Sequence, residues 1–196
     1  MTQLDDKGFD LLFRNARSHN GWQDKPVDDA LLQQVYDLCK WGPTSANTCP
    51  MRIVFVKSEE AKQRLKPCLA AGNVTKTMSA PVTAIFAYDM EFYEKMATLS
   101  PHNPKTREWF AGNDVLIAST AFRNGSLQAA YFMLAARALG LDCGPMSGFD
   151  NAKVDAEFFK GTPIKSNFIC ALGYGDPGKL YPRAPRLPFG DTCRIL

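Results

Sequence analysis

The chain has 196 residues, of which 45% are hydrophobic and 22% are charged, a composition typical of one soluble domain. Lys and Arg outnumber Asp and Glu by 23 to 20, an excess too small to predict a nucleic-acid or membrane partner. The N-terminus is polar and acidic, which argues against a secretory signal. No apolar run reaches the roughly 20 residues that a membrane span needs.

Hydrophobic periodicity and helix-end signals predict four helices. They lie at about 29–41, from Ser58 to near Gly72, at about 119–139 and near 151–159. Apolar runs predict strands at 53–56, 81–87 and 168–172, with an irregular stretch at about 90–115. This order indicates a single α+β domain over residues 1–196.

The helix predicted at 119–139 is apolar on nearly every side, with Leu127, Tyr131 and Leu134 among its regularly spaced residues. A helix of this kind is normally central and buried. A position at a subunit interface is the alternative that the pattern allows.

Six cysteines are spread along the chain without a Cys-x-x-Cys pair, and only two histidines accompany them. This pattern predicts no metal site. Most of the cysteines are expected in the core, which favours a reduced chain in the cytoplasm.

Residues 173–178 read Gly-Tyr-Gly-Asp-Pro-Gly after a predicted strand, which matches the Gly-x-Gly-x-x-Gly fingerprint of dinucleotide-binding folds. That fingerprint requires a helix whose N-terminus holds the pyrophosphate. Here Pro177 is followed by Pro182, Pro185 and Pro188, so no helix of useful length can begin. We interpret the segment as a glycine-rich turn, and a Rossmann dehydrogenase as a weaker hypothesis.

Four polar segments remain as candidates for a cofactor site. Arg17 and Ser18 offer a forked donor and a hydroxyl that suit a phosphate monoester, although a solvated turn would look the same. The loop at 43–50 and the segment at 144–148 could each hold a ligand or simply join two elements. The basic stretch from Arg183 to Arg186 could equally be a solvated tail.

Taken together, the order of these segments resembles the flavin-dependent nitroreductase family over almost the whole chain. The resemblance rests on Arg17-Ser18, Trp22 and Pro26-Val27, followed by the loop Pro43-Thr-Ser-Ala-Asn-Thr-Cys-Pro50. A closer match is to the malonic semialdehyde reductase branch, also named NADH dehydrogenase/NAD(P)H nitroreductase. The stretches that carry it are HNGW, KWGPTSAN, AFRN, ALGLDCGPMSGFD, IKSN and GYGD.

The resemblance implies FMN as the cofactor and a mixed, mainly antiparallel sheet flanked by helices. It also implies a homodimer whose C-terminal extension reaches over the partner. The FMN phosphate would be held by Arg17, Ser18 and Arg186, with Asn20 a further cofactor-binding residue. The flavin ring would lie beside Asn73, Lys76, Pro145, Met146, Ser147 and Gly148. The other subunit would supply Pro43, Thr44, Ser45, Asn47 and Asn124.

Four positions depart from the family pattern: Ala16, Asn20, Cys49 and Ser147. Ala16 and Asn20 stand where many relatives carry basic residues, so fewer cations are expected around the phosphate. Weaker FMN binding than in other family members is therefore expected.

The resemblance further implies a ping-pong reductase that uses NADH or NADPH to reduce a small acceptor, here malonic semialdehyde to 3-hydroxypropanoate. Lys76 would stabilise negative charge at flavin N1 and O2. Arg123, or Arg107, would hold a substrate carboxylate, and a structural role for Arg123 is an equal alternative. The competing hypotheses are a broad nitroaromatic or quinone reductase and a flavin-binding protein without turnover.

Overall fold

Four antiparallel strands form the only sheet in the computed structural model, which describes residues 3–103 and 105–196. The strands are β1 (Met51–Val56), β2 (Val82–Asp89), β3 (Asp142–Met146) and β4 (Ile164–Gly173). Their order in the sheet is β1-β2-β4-β3, so β2 and β4 lie at the centre. The expected α+β class is confirmed.

Eight α-helical segments accompany the sheet in the described residues. They are α1 (Asp6–Phe9), α2 (Asp29–Cys39), α3 (Glu59–Leu65), α4 (Ala71–Met78), α5 (Met96–Leu99), α6 (Asp114–Ala138), α7 (Asn151–Phe158) and α8 (Phe189–Thr192). None of the helices in this described part of the chain is long and apolar enough to cross a membrane.

Alternating residues of the two central strands build two cores, one on each face of the sheet. Ala84 and Phe86 pack with α2 and α6 on one face. Ile85 and Ala87 pack with residues of α3 and α7 on the other. Because the side chains of a strand point alternately to opposite faces, a strand with helices on both sides is apolar at nearly every position.

Several predicted boundaries were wrong, and three elements differ most. The helix expected from Ser58 to Gly72 ends at Leu65, since Pro67 lacks the N–H that would continue it, and α4 begins separately at Ala71. The long helix α6 begins at Asp114 rather than 119, because the side chain of Asn113 caps it by accepting the Leu116 N–H at 3.0 Å. Strand β4 is also longer than the predicted 168–172.

Strand β3 was missed, because Gly144 and Pro145 disfavour strands by propensity. It is an edge strand of the four, where proline is tolerated. On its outer side, Ser18 forms a parallel bridge with Cys143, and the His19 N–H donates to the Cys143 carbonyl at 3.0 Å. The N-terminal segment is thereby fixed against the sheet.

Candidate functional site

A cavity of about 530 Å³ lies between the N-terminal segment, the end of α6 and the C-terminal segment. Its charged lining residues are four arginines, namely Arg17, Arg137, Arg183 and Arg186, and no acidic residue lines it. No ion pair in the described residues involves any of these four. We call this feature the arginine cavity, and its uncompensated charge suits an anion.

Backbone carbonyls hold three of the four guanidinium groups in place, and the fourth, that of Arg137, reaches one only at 3.5 Å. Arg17 donates to the carbonyl of Tyr181. Arg183 donates to the carbonyls of Arg14 and Ala16 at 2.8 and 2.9 Å, and Arg186 donates to those of Ala184 and Pro185 at 3.0 and 3.1 Å. A carbonyl orients a guanidinium without neutralising it, so the positive charge remains available to a ligand.

The position of Arg17 and Ser18 depends on the residue that follows them, His19. Asp142 lies with Oδ1 at 3.3 Å from His19 Nε2, and its Oδ2 accepts the Gly175 N–H at 2.8 Å. One carboxylate therefore joins the N-terminal segment to the turn at 173–178. His19 Nδ1 is buried and has no hydrogen-bond partner in the structure.

The glycines at 173–178 have a packing role. A Cβ on Gly173 would lie 2.5 Å from Pro81 Cγ, and one on Gly175 would overlap the imidazole of His19. The helical segments that follow them are short, namely a three-residue turn at Pro177–Lys179 and the four-residue α8. This geometry confirms the interpretation as a turn and excludes the phosphate-binding helix of a Rossmann fold.

Residues predicted to lie beside the flavin ring meet at the end of β3 and along α4. Asn73 Nδ2 donates to the Gly148 carbonyl at 2.8 Å. Trp22 Nε1 donates to the Lys76 carbonyl at 2.9 Å, and the Lys76 ammonium takes part in no ion pair of the described residues. Trp22, four residues from Ser18, thus links this group to the segment that carries Arg17 and Ser18. Pro145, Met146 and Ser147 continue from β3 into the same region.

The loop at 43–49 forms the second predicted half of the site. Ala46, Asn47 and Cys49 have φ values of 50°, 54° and 41°, which strain residues other than glycine. Side chains hold this backbone: Asn124 Oδ1 accepts the Ser45 N–H at 2.8 Å, and Thr44 Oγ1 accepts the Cys49 N–H at 3.2 Å. Pro43 is exposed beside them.

Asn124 and Asn47 are already engaged within the chain. Asn124 Nδ2 donates to the Thr120 carbonyl at 2.8 Å, in addition to the bond that its Oδ1 makes to the loop. Asn47 Nδ2 donates to the Leu99 carbonyl at 2.7 Å. These contacts show how the two residues shape the loop.

The two halves lie at opposite ends of the sheet. The loop precedes Met51, which pairs with Tyr88 near the end of β2, whereas the arginine cavity adjoins the turn after Leu172, which pairs with Val82 at its start. The separation along β2 is about 20 Å at the usual rise per residue. None of the hydrogen bonds found in residues 3–103 and 105–196 joins the two halves.

The two candidates for binding a substrate carboxylate differ in availability. Arg107 forms two hydrogen bonds to Glu94, at 2.8 and 2.6 Å, and this pairing holds the pKa of the Glu94 carboxyl below its usual range. Arg123 is exposed on α6 and belongs to none of the ion pairs in the described chain. The geometry therefore favours Arg123 over Arg107.

Sequence reasoning missed Arg137, and it placed Arg183 in a candidate segment without giving it a role. Arg137 lies in the last turn of α6 and Arg183 in the proline-rich tail. The sequence feature that could have identified Arg137 is a single cation among apolar residues at the end of a helix predicted to be buried. For Arg183 it was the basic stretch itself, which resembles a solvated tail until the fold brings it to residues 14–17.

The model of the family described as "Nitroreductase family" matches residues 13–175. This chain belongs to the nitroreductase family. A relative in Burkholderia lata, provisionally named NADH dehydrogenase/NAD(P)H nitroreductase, is 65% identical over 195 residues, which is 100% of each chain. This nitroreductase and that relative therefore align from end to end.

Solved structures confirm the nitroreductase fold. A nitroreductase from Bacillus subtilis superposes with a TM-score of 0.83 at 23% identity and covers 98% of this chain and 100% of its own. A second, from Exiguobacterium sibiricum in complex with FMN, has a TM-score of 0.83 at 19% identity and covers 100% of both chains. At such low identity the likeness establishes the fold alone.

Proposed function

We propose that this nitroreductase is an FMN-dependent NAD(P)H oxidoreductase of the cytoplasm that reduces a small aldehyde. The observation that carries the proposal is the arginine cavity, whose four cations have no acidic partner in the described chain. The Exiguobacterium sibiricum structure contains FMN, which supports the choice of ligand. A phosphate monoester dianion is the part of FMN that such a cavity suits.

The residues present fit FMN as a whole. Arg17, Arg186 and the Ser18 hydroxyl line the cavity where the phosphate would bind. Bound FMN would supply hydride transfer between the nicotinamide and the acceptor. Lys76 carries a cation without an ion-pair partner among the described residues, and its role is to stabilise negative charge on the flavin edge at N1 and O2.

The complete site requires a homodimer in this proposal. The two predicted halves lie at opposite ends of one chain's sheet, so the loop at 43–49 would complete the site of the partner. Large apolar side chains exposed on α6 support a subunit contact there, including Val115 (82% exposed) and Phe122 (53% exposed). The C-terminal residues Ile195 and Leu196 are also exposed, Ile195 to 86%, as an arm that reaches over the partner would be before association.

The substrate in this proposal is malonic semialdehyde, an intermediate of pyrimidine breakdown, and the product is 3-hydroxypropanoate. Its carboxylate needs a cation near the ring, and Arg123 is the candidate because it is exposed and lacks an acidic partner among the described residues. Arg123 follows Phe122 on α6 and precedes Asn124, which fixes the loop at 43–49. It therefore belongs to the half contributed by the partner.

A broad nitroaromatic or quinone reductase is the second candidate function. The provisional name of the Burkholderia lata relative, at 65% identity, favours it. Both candidates share the cofactor and differ in the acceptor. A third hypothesis, a flavin-binding protein without turnover, differs from both by its inability to accept electrons from NAD(P)H.

Steady-state and anaerobic assays separate the three hypotheses. We expect the purified protein to be yellow, to release FMN on heating, and to lose its flavin absorbance with NADH or NADPH. Reoxidation by malonic semialdehyde faster than by a nitroaromatic, with a raised KM for the aldehyde in Arg123→Gln, would support the semialdehyde reductase. The reverse preference would support the broad nitroaromatic or quinone reductase. Flavin absorbance that NAD(P)H leaves unchanged would support the flavin-binding protein without turnover.

A further inference from the structure

One guanidinium of the arginine cavity differs from the other three. Arg137 projects from the last turn of α6, the longest helix, whereas Arg17, Arg183 and Arg186 lie on segments without regular structure. Arg137 Nη1 donates to the Leu12 carbonyl at 3.5 Å, the outer limit for a hydrogen bond. Its Nε is buried and has no hydrogen-bond partner in the structure.

The guanidinium of Arg137 is poorly paired, because its hydrogen bond to Leu12 is long and its Nε has no partner in the structure, and unmet donors on a charged group are costly. Its charge is also uncompensated, since no acidic residue lines the cavity. Nε is closed off from the cavity, so an anion there would compensate the charge through the part of the guanidinium that lines the cavity. A helix holds the side chain in place before the ligand arrives, so little further ordering is needed on binding.

We propose, resting on the FMN-dependent function above, that Arg137 binds the phosphate of the cofactor and selects FMN over riboflavin. Its contribution is a charge-assisted hydrogen bond from a rigid part of the fold. Ala16 and Asn20, which also line the cavity, carry no charge. Arg137 supplies a cation to the same cavity from a different element.

The test compares two ligands that differ only in the phosphate. Apoprotein of the wild type and of Arg137→Gln is titrated with FMN and with riboflavin, and the dissociation constants are measured by quenching of flavin fluorescence. We expect Arg137→Gln to weaken FMN binding by about 10- to 100-fold, as for loss of a hydrogen bond to a charged group. Riboflavin binding should change by less than about twofold, because the ring contacts are untouched.

Arg14→Gln is the matched control. Arg14 lies in the adjoining segment and is an arginine too, but it is paired with Asp6 and Asp10 at 2.9 and 3.2 Å and does not line the cavity. Its removal changes the net charge equally and should leave both dissociation constants near the wild-type values. An equal loss in this control would assign the effect to overall charge and overturn the proposal.

The proposal is also overturned if Arg137→Gln binds FMN and riboflavin in the wild-type ratio. Should that variant fail to fold, Arg137→Lys keeps the charge but lacks the forked donor, so we expect FMN binding to fall by about 3- to 10-fold while riboflavin binding stays the same. Equal losses of FMN and riboflavin binding in Arg137→Lys would equally reject the proposal. Wild-type apoprotein that binds neither flavin would instead reject the FMN-dependent function itself.

Discussion

The two halves of the predicted cofactor site use their polar groups in opposite ways. In the arginine cavity, Arg17 and Arg186 donate to carbonyls only and keep their charge uncompensated. Around the loop at 43–49, the amide groups of Asn47 in the loop and Asn124 on α6 form hydrogen bonds with backbone atoms of their own chain. Residues that share a site can therefore divide into those that bind and those that hold the binding surface in shape.

Because the two halves use their polar groups differently, substitutions in them should affect different measurements, namely stability for the loop and phosphate affinity for the arginines. Changes to the loop should act mainly through the stability of the chain. Changes to an uncompensated arginine should act mainly through affinity for a phosphate. Changes to the residues that fix the arginine segment should affect both, and these are expected to be the largest.

The largest effect is expected from Gly175→Ala. A Cβ at this position overlaps the His19 ring, so either the turn or the segment carrying Arg17 must move. We expect the free energy of unfolding to fall by about 3 kcal/mol, together with weaker FMN binding. Urea denaturation of the apoprotein and a flavin titration measure the two effects.

Gly72→Ala serves as the control for this substitution, because a Cβ there meets no atom within 4 Å and Gly72 lies inside α4. Alanine in a helix should leave stability equal or slightly raised. If Gly175→Ala unfolds at the same urea concentration as the wild type, the packing role of the turn is wrong.

Asn124→Ala should give the next largest loss of stability. It tests whether Asn124 holds the loop at 43–49 in shape. The substitution removes the bonds to the Ser45 N–H and the Thr120 carbonyl, both at 2.8 Å, and releases the strained backbone at 46–49. We expect a loss of about 2 kcal/mol in the free energy of unfolding. Ser119→Ala, an exposed position on the same helix, should change stability by less than about 0.5 kcal/mol.

A stability loss in Ser119→Ala as large as that in Asn124→Ala would contradict the assignment of Asn124 to the support of the loop. Unfolding curves of the two variants under identical conditions decide the matter.

Arg17→Gln tests the other half of the comparison, and its effect on stability is expected to be the smaller one. The charge of Arg17 has no acidic partner among the described residues, so its loss should alter the free energy of unfolding by less than about 0.5 kcal/mol. FMN affinity should fall by about tenfold while riboflavin affinity stays the same. Arg64→Gln, which removes an arginine paired with Glu157 at 2.6 Å, is the control for charge.

The sequence predicted elements such as β2 and α7 because the apolar pattern that marks each of them lies within the element itself. Strand β2 and helix α7 were expected at 81–87 and 151–159 and were found at Val82–Asp89 and Asn151–Phe158. Strand β3 escaped prediction because its pairing with β4 outweighs the poor strand propensity of Gly144 and Pro145. Tertiary context, which a local pattern lacks, decides such a segment.

The candidate site was only partly predictable for a related reason. The resemblance supplied Arg17, Ser18 and Arg186, which the fold brings into one cavity. Arg137 and Arg183 carry no motif, and their place in the cavity depends on contacts between residues more than 100 positions apart, such as that from Arg137 to Leu12. The prolines after Gly175 already predicted a turn rather than a nucleotide fingerprint, and the contact with His19 adds the reason for glycine at this position.

The last prediction changes no residue and concerns the rate at which each cysteine thiol is alkylated. That rate measures how accessible the surroundings of the thiol are. Burial raises the pKa of the Cys39 thiol to about 11 and that of Cys170 well above its usual range, whereas Cys193 is exposed. The thiolate is the reactive form, and at pH 8 only about 0.1% of a thiol with such a pKa is ionised. With iodoacetamide we expect Cys193 to be alkylated first, Cys49 of the loop next, and Cys39 and Cys170 only after unfolding.

Mass spectrometry of peptides from timed samples gives the order directly, and the same reaction in denaturant provides the control in which all sites should react. Early labelling of Cys49 at the rate of Cys193 would show that the loop opens freely, despite the bonds from Asn124 and Thr44. That result would remove the contrast between a rigid loop and an open arginine cavity. Slow labelling of Cys49 would instead support a surface that is shaped in advance for the partner's ligand, because a strained backbone persists only where its surroundings hold it.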